Sequence, residues 1–191
     1  MTPNATYRGA TLAYPLTHGE SHGDYDTMYG VVDVRGATVI DVGADEGSTA
    51  DYFFQKGAAR VVASELDAEL VARLRVWASE EPRLLVVGAM VGAGDLEAWI
   101  ADARPRCRGG RLVVKVDADL TNDVPGGAEE KLLDMAPEWL GEPDAWVIET
   151  HSPAVHVELC DRLETVGYAV RLVRQWRCNP NVKVIVAERG S

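Results

Sequence analysis

Residues 38–49 read TVIDVGADEGST, an apolar run that leads into an acidic, glycine-containing turn, DVGADEG, at 41–47. Its β-branched residues favour a strand, and Gly43 and Gly47 allow a tight turn into a helix. In open α/β sheets, such a turn lies beyond the carboxyl end of the first strand, where ligands bind. The stretch therefore predicts the fold class and the place of a ligand site. Ser48 or Thr49 is placed to cap the helix that follows.

Apolar runs recur along the rest of the chain, and helical patterns separate the first six of them. The predicted strands are 38–42, 60–65, 83–87, 111–117, 145–150, 169–176 and 182–188. Single helices between strands imply parallel pairing through right-handed crossovers. The five residues at 177–181 are too few for a crossover helix, so the last two strands should form an antiparallel hairpin. We predict an α/β fold with a doubly wound, mostly parallel seven-stranded sheet and a C-terminal antiparallel hairpin strand.

Two helices are clear from their apolar spacing. Residues 67–80 start with an Asp and place apolar side chains on one face. Val155, Leu159, Leu163 and Val166 recur at steps of four and three before Gly167, a predicted C-terminal cap. Both patterns predict amphipathic helices that cover the sheet.

Composition and length set the domain organisation. The 191 residues fit one domain at 37–191, preceded by an N-terminal extension or lid at 1–36. No apolar run is long enough to span a bilayer, and residues 1–10 lack the pattern of a secretory signal. Three cysteines without CxxC spacing favour reduced thiols and a cytoplasmic location. We expect no membrane partner and leave a homodimer open.

The net charge of −11 makes nucleic acid an unlikely partner. The densest basic run lies just before the fourth predicted strand. It comprises Arg104, Arg106, Arg108 and Arg111. The amino edge of the sheet is opposite the predicted ligand site, so this run is interpreted as a solvated face rather than an RNA track.

The charge of the turn discriminates between cofactors. Glu65 ends the second predicted strand, where a carboxylate can accept both hydroxyls of a ribose. NAD enzymes share that feature, but Asp41, Asp45 and Glu46 would crowd carboxylates around a pyrophosphate. S-adenosylmethionine (SAM) carries no phosphate and brings two cations, a sulfonium and an ammonium group. We therefore predict SAM as the cofactor, with S-adenosylhomocysteine as product, and keep a nucleotide-dependent oxidoreductase as an alternative.

The predicted cofactor contacts lie on the turn and at the carboxyl ends of the second, third and fourth strands. They are Asp41, Gly43, Ala44, Asp45, Gly47, Ser48, Glu65, Leu66, Ala89, Met90 and Asp117.

Three stretches resemble the FkbM-type methyltransferases, which belong to the Rossmann-like class I. Residues 39–48, VIDVGADEGS, are similar to the family motif IDVGANxGS, with Asp45 in place of Asn. Residues 114–119, VKVDAD, are similar to IKIDVEG, but Asp119 replaces Glu and Leu120 replaces Gly. Residues 147–151, VIETH, are similar to a strand that ends in ExH. The resemblance implies transfer of a methyl group to an oxygen, commonly a hydroxyl on a sugar or another small molecule.

The predicted catalytic residues are Asp117, Glu149 and His151, at the carboxyl ends of the fourth and fifth strands. Asp117 is expected to bind the SAM ammonium group or to orient the acceptor hydroxyl. An imidazole with a pKa near 6.5 suits His151 to take a proton from that hydroxyl. Methyl transfer is an in-line displacement that depends mainly on alignment, so positioning by the two carboxylates ranks above base catalysis.

Other functions remain open at this stage. His18, His22, Asp24, His151 and His156 are metal-binding residue types, but without a recognisable ligand spacing we predict no metal site. An RNA ribose methyltransferase would need a basic groove at the SAM edge. The same fold could also serve as a catalytically inactive SAM-binding interaction module.

Overall fold

The computed structural model describes residues 6–7, 10–11, 22–89, 92–107, 109–118, 127–175 and 179–190. Its strands are β1 (Thr6–Tyr7), β2 (Ala10–Thr11), β3 (Thr38–Val42), β4 (Arg60–Glu65), β5 (Leu84–Gly88), β6 (Leu112–Val116), β7 (Ala145–Thr150), β8 (Tyr168–Gln175) and β9 (Lys183–Arg189). Its α-helices are α1 (His22–Met28), α2 (Ser48–Gln55), α3 (Ala68–Glu80), α4 (Ala93–Ala103), α5 (Pro137–Leu140) and α6 (Pro153–Thr165). Two 3₁₀ helices span Arg104–Cys107 and Ala128–Asp134.

A seven-stranded sheet organises the molecule, with the strand order β5-β4-β3-β6-β7-β9-β8. Strands β3 to β7 pair in parallel, whereas β9 lies antiparallel between β7 and β8. This arrangement confirms the predicted fold, including the closing hairpin. The predicted strand ends differ from the observed ones by no more than one residue. The carboxyl ends of β3, β4, β6 and β7 consequently share one edge of the sheet.

Helices cover both faces of the sheet, so the protein has two apolar cores. Successive residues of a strand point to opposite faces, and Val39 and Ile40 of β3 accordingly belong to different clusters. One core lies under α1, α2 and α3, and the other under α4, α5, α6 and the 3₁₀ helix Ala128–Asp134. Two-sided burial explains why the central strands are continuous apolar runs.

Helices α3 and α6 follow their sequence patterns. The Asp67 side chain caps α3 by accepting the backbone N–H groups of Glu69 and Leu70 at 2.8 and 3.0 Å. On α6, Val155, Leu159 and Leu163 are buried. Gly167 follows this helix with a φ of 97°, the left-handed conformation that favours glycine. Both predicted helices are thus confirmed.

The predicted cap of α2 is wrong. Gly47 occupies the N-cap position, and no side chain caps the helix. Thr49 instead donates its hydroxyl to Asp41 Oδ2 at 2.6 Å. The helix begins at Ser48, one residue earlier than a Ser48 cap and two residues earlier than a Thr49 cap would require.

Helix α1 packs an aromatic cluster against α2. Tyr25, Met28 and Tyr29 are buried, and Tyr29 lies 6.0 Å from Phe53, ring centroid to centroid. Tyr52 donates a hydrogen bond to Asp26. The segment before β3 therefore contributes to the core, while the division at residue 36 and the role of a lid stay predictions. Residues 1–5, 8–9 and 12–21 of the predicted extension lie outside the described ranges.

The basic run before β6 is neutralised by carboxylates where the structure describes it. Arg104 contacts Glu142 and Asp144 at 2.7 and 2.8 Å, and Arg111 contacts Glu188 at 3.0 Å. Arg106 pairs with Asp102 one helical turn earlier, and Arg108 lies outside the described residues. These ion pairs tie the amino edge of the sheet together.

Asp144 should make this edge sensitive to acid. Burial raises the pKa of its carboxyl, but Arg104 and the Leu112 backbone N–H outweigh burial and lower that pKa overall. A lowered folded pKa contributes stability above the unfolded value of about 3.9 and loses it as the pH falls through the folded pKa. We expect Asp144→Asn to lower the free energy of unfolding in urea by about 1–2 kcal/mol at pH 7. The difference from wild type should shrink below about pH 4, whereas the exposed control Asp161→Asn should change little at either pH. A deficit that is equal at pH 7 and pH 3 would contradict the assignment.

The described residues also bear on two expectations from composition. Cys107 and Cys160 are free thiols, and Cys178 lies outside the described ranges. Within those ranges, no helix combines the length and the apolar character needed to cross a bilayer.

Candidate active site

The turn from β3 to α2 is built around Gly43. Its φ is 75°, and an added Cβ would lie 2.0 Å from the carbonyl oxygen of Asp117 and 2.7 Å from Ala118 Cβ. Only a residue without a side chain lets the β3 turn approach the end of β6 this closely. The turn and Asp117 therefore form one surface at the carboxyl edge of the sheet.

The backbone N–H groups of this turn are directed inward. Those of Gly43 and Ala44 both donate to the carbonyl oxygen of Ser64 at 3.0 Å, and that of Gly47 donates to Ala44 at 2.8 Å. Asp45 N–H donates to Glu65 Oε2 at 2.9 Å. A pyrophosphate site needs such groups directed at the ligand, so this turn does not offer them as a phosphate cradle.

Glu65 connects the turn to the end of β4. In addition to Asp45, it accepts the N–H groups of Leu66 and Asp67 on Oε1 at 2.7 and 2.9 Å. Each carboxylate oxygen accepts about two hydrogen bonds, so one acceptor position, on Oε2, stays open among the described contacts. Acceptance of two ribose hydroxyls, as predicted, requires Oε1 to release a backbone donor.

The three carboxylates of the turn do not share one environment. Asp41 is fully buried below the turn, Glu46 contacts Arg73 of α3 at 3.3 Å, and only Asp45 is exposed. We expected three carboxylates at the ligand surface, but only the carboxylate of Asp45 is exposed there. Asp45 has a φ of 49°, a conformation that Asn and Asp tolerate better than other non-glycine residues.

Gly47 serves helix packing. An added Cβ would lie 2.8 Å from the Trp77 ring and 2.9 Å from Leu74 Cδ2, and its φ is 95°. The sequence suggested that glycine is needed here for close approach to a ligand. The close neighbour that requires it is instead helix α3. Its role as a cofactor contact stays a prediction.

A buried ion pair lies beneath the turn. Lys115 Nζ is 3.0 Å from Asp41 Oδ1, and the two side chains are 1% and 0% exposed. They meet because Asp41 and Lys115 are register partners of β3 and β6. Lys115 also donates to the carbonyl oxygens of Gly43 and Val42 at 2.7 and 3.3 Å. The lysine thereby fixes the backbone of the turn.

The charges of this pair depend on each other. Burial lowers the pKa of Lys115, but the carboxylates of Asp41 and Asp117 outweigh burial and raise that pKa above its usual value. Burial raises the pKa of Asp41 against the opposing effect of Lys115. Lys115 is therefore a cation at neutral pH.

Asp117 receives a hydrogen bond from the N-terminal segment. Tyr29 donates its hydroxyl to Asp117 Oδ2 at 2.8 Å, and Lys115 Nζ lies 3.9 Å from the same oxygen. Burial and then Asp117 raise the pKa of Tyr29 well above its usual value, so the phenol keeps its proton. These contacts fix Asp117 at the end of β6.

The structure brings the three predicted catalytic residues together. One potential ligand atom from each of Asp117, Glu149 and His151 lies within 4.8 Å of the others. His151 Nε2 is 3.7 Å from Glu149 Oε1. On the other side of the ring, Nδ1 is 3.1 Å from Glu129 Oε1, which also accepts the His151 backbone N–H at 2.8 Å. When Glu129 is ionised it can only accept, so Nδ1 carries a proton, and in the neutral ring Nε2 is then the nitrogen with the lone pair.

The remaining predicted residues fall around the same edge. Leu66 is half-exposed after β4, and Ser48 and Ala89 are partly exposed. Ala44 is buried within the turn. Met90, Asp119 and His18 lie outside the described residues, as do the side chains of His22 and Asp24. The remaining histidine, His156, lies on α6, with its Nδ1 3.3 Å from the hydroxyl of Thr150.

Three residues of the site were not predicted: Tyr29, Lys115 and Glu129. Lys115 carried a usable signal, because it interrupts an apolar run as Asp41 interrupts the neighbouring one. Opposite charges at matching depth in two buried strands indicate a pair. Tyr29 and Glu129 lie outside periodic elements that could have predicted their position.

The strand order and the comparison with solved structures show that the chain has the Rossmann-like fold of class I methyltransferases. The chain superposes on precorrin-6y C5,15-methyltransferase from Geobacter metallireducens GS-15 with a TM-score of 0.54 and 16% identity, over 86% of this chain and 85% of that chain. It superposes on the 23S rRNA methyltransferase ErmE with a TM-score of 0.56 and 14% identity, over 90% and 69% of the two chains. It superposes on the fibrillarin pre-rRNA processing protein of Methanococcus jannaschii with a TM-score of 0.53 and 14% identity, over 86% of this chain and 76% of that chain. At these identities the likeness is one of fold.

Sequence comparison adds no narrower assignment. No protein-family model matches the chain, and no curated protein matches it significantly. The structural neighbours include enzymes named for rRNA and an enzyme named for a small-molecule precursor.

Proposed function

We propose that the protein is a SAM-dependent methyltransferase that methylates a hydroxyl oxygen of a small molecule or sugar. The observation that carries the cofactor assignment is the inward direction of the turn N–H groups at Gly43, Ala44, Asp45 and Gly47. With these four donors engaged inside the protein and Asp45 exposed, the turn disfavours a pyrophosphate and favours a cationic cofactor. Glu65 lies beside this turn, where it can accept a ribose hydroxyl.

The cluster of Asp117, Glu149 and His151 supports the proposed acceptor chemistry. In methyl transfer, the S–CH₃ bond breaks as an O–CH₃ bond forms, the sulfonium becomes a neutral thioether, and the hydroxyl loses its proton. Asp117 and Glu149 can orient the hydroxyl, and His151 Nε2 can accept its proton. Glu129 would hold the imidazole in the required tautomer and orientation. The FkbM-type resemblance, with its ExH strand end at 149–151, agrees with an oxygen acceptor.

An RNA acceptor is the second candidate, because structural neighbours include rRNA methyltransferases. The described arginines of the basic run, Arg104, Arg106 and Arg111, are instead ion-paired at the opposite edge of the sheet. A net charge of −11 further weakens attraction to a polyanion. These observations favour a small acceptor.

Calorimetry with S-adenosylhomocysteine and NAD side by side tests the cofactor. We expect S-adenosylhomocysteine to bind and NAD to show no binding. Glu65→Ala should weaken S-adenosylhomocysteine at least about tenfold, because it removes a charged acceptor for a ribose hydroxyl and frees the turn. The control Glu80→Ala changes an exposed carboxylate at the far end of α3 and should bind as wild type. Binding of NAD alone would overturn the assignment.

The acceptor is found by incubation with methyl-labelled SAM and panels of sugars, hydroxylated metabolites and RNA. Label transfer to an oxygen of a small molecule supports the proposal. Transfer confined to RNA would select the second candidate. Tight binding of S-adenosylhomocysteine without transfer to any panel would favour an inactive binding module.

A further inference from the structure

We propose that Asp117, Glu149 and His151 bind a divalent metal ion, with Glu129 as the outer partner of the histidine. The three side chains come from the ends of two adjacent parallel strands, β6 and β7. They combine two carboxylates with one imidazole, a set that suits first-row divalent ions such as Mn²⁺ or Zn²⁺.

The distances fit a shared ion. Carboxylate and imidazole ligands bind at about 2.0–2.2 Å, so two ligands of one ion stand no more than about 4.4 Å apart. Nε2 of His151 and Oε1 of Glu149 are 3.7 Å apart. The three-residue set is contained within 4.8 Å, and closure by a few tenths of an ångström needs only small side-chain rotations.

The surroundings of His151 provide an independent argument. Metal-binding histidines usually donate their second ring N–H to a carboxylate, which fixes the ring. Glu129 Oε1 occupies that position, 3.1 Å from Nδ1, and it also accepts the His151 backbone N–H. This arrangement directs Nε2 toward Glu149 and Asp117.

The buried carboxylate of Glu129 is a second argument for a nearby cation. Its side chain is 0% exposed, and its Oε2 accepts no hydrogen bond from any described residue. Among the described residues, His151 is the only basic side chain within 4.0 Å of it. A buried carboxylate is ordinarily paired with a cation or engaged with a metal. An ion on the far side of His151 would draw electron density through the ring and compensate the Glu129 charge.

The role of the ion rests on the proposed function, whereas its binding does not. A metal-bound acceptor hydroxyl loses its proton more readily, because the ion stabilises the alkoxide. His151 would then act as a ligand, and the hydroxyl proton would pass to solvent. Asp117 and Glu149 would hold the ion opposite the turn that binds the methyl donor.

Binding of Mn²⁺ by the full chain tests the site, because the six-line electron paramagnetic resonance signal of free Mn²⁺ disappears when the ion is bound. We expect the wild type to take up about one Mn²⁺ per chain. Glu149→Gln and His151→Gln should each weaken binding at least about tenfold, and Glu129→Gln about 10–100-fold, as for outer-shell partners elsewhere. The matched controls Glu158→Gln and His156→Gln, on α6, should bind Mn²⁺ as wild type. Circular dichroism verifies that each variant is folded.

Two results would overturn the metal site. One is a free Mn²⁺ signal that wild-type protein leaves unchanged up to millimolar ion. The other is equal Mn²⁺ affinity for Glu149→Gln and Glu158→Gln. S-adenosylhomocysteine calorimetry on the same samples separates this failure from failure of the proposed function. Mn²⁺ uptake without S-adenosylhomocysteine binding would keep the metal site and remove the methyltransferase assignment, and the reverse result would do the opposite.

Discussion

Gly43→Ala should weaken the binding of S-adenosylhomocysteine and destabilise the protein. The added methyl group would lie 2.0 Å from the Asp117 carbonyl oxygen, far inside van der Waals contact, and the residue has a φ of 75°. The left-handed conformation costs about 1–2 kcal/mol, and relief of the clash costs about 1–3 kcal/mol more. Separation of β3 from β6 would displace the turn. A displacement that removes about 1.4 kcal/mol of binding free energy weakens affinity tenfold, and we expect at least that loss in S-adenosylhomocysteine affinity by calorimetry.

Gly36→Ala is the matched control for backbone conformation. Gly36 has a φ of 69°, but an added Cβ there would meet nothing within 4 Å. Its free energy of unfolding should fall by the conformational cost alone, about 1–2 kcal/mol, and its S-adenosylhomocysteine affinity should match wild type. If both variants lost the same stability and retained the same affinity, the close approach at Gly43 would have no functional role.

Lys115→Met should be the most destabilising change of a polar residue. It leaves Asp41 fully buried without its cation, and it removes donors to Gly43 and Val42. Loss of one partner of a buried pair costs about 3–5 kcal/mol. Urea unfolding should show this loss at pH 7, whereas Lys56→Met, at an exposed pair with Asp26, should change little. The turn backbone loses its support, so S-adenosylhomocysteine affinity should fall as well.

The pH dependence of Lys115→Met identifies the cause. Burial already raises the pKa of Asp41, and Lys115 opposes that shift. Without the lysine the folded pKa rises further, so the folded state binds a proton that the unfolded state releases. The free energy of unfolding of the variant should therefore increase as the pH falls from 7 toward 5. The double variant Asp41→Asn/Lys115→Met should recover part of the loss at pH 7. A deficit that is independent of pH and unchanged in the double variant would refute the ion-pair explanation.

The mostly parallel seven-stranded sheet and its closing hairpin could be predicted because they depend on local pattern and connection length. The sequence predicted which strand ends form the site, because parallel strands align their carboxyl ends at one edge of the sheet. It was not predictable which side chains touch. Asp41 and Lys115 each interrupt an apolar run, which indicates a pair, but their contact also requires the register between β3 and β6, and no local pattern encodes that register.

Gly47 illustrates the same limit. The sequence indicated that glycine was needed there, but the neighbour that requires it, Trp77, lies 30 residues away on α3. Glu129 and Tyr29 reach the site from segments with no periodic pattern. Their contacts with His151 and Asp117 arise from tertiary packing alone.

The hydrogen bond from Tyr29 to Asp117 has a consequence for how this unit can be recombined. The seven-stranded sheet starts at Thr38, so a chimaera joined at that point would inherit all seven of its strands and the whole glycine turn. It would nevertheless lose the phenol that orients the acid at the end of β6. The smallest segment that can be transferred with an intact site therefore begins upstream of the sheet, at helix α1. A chimaera joined at a strand boundary would contain the sheet but lack the contact that orients Asp117.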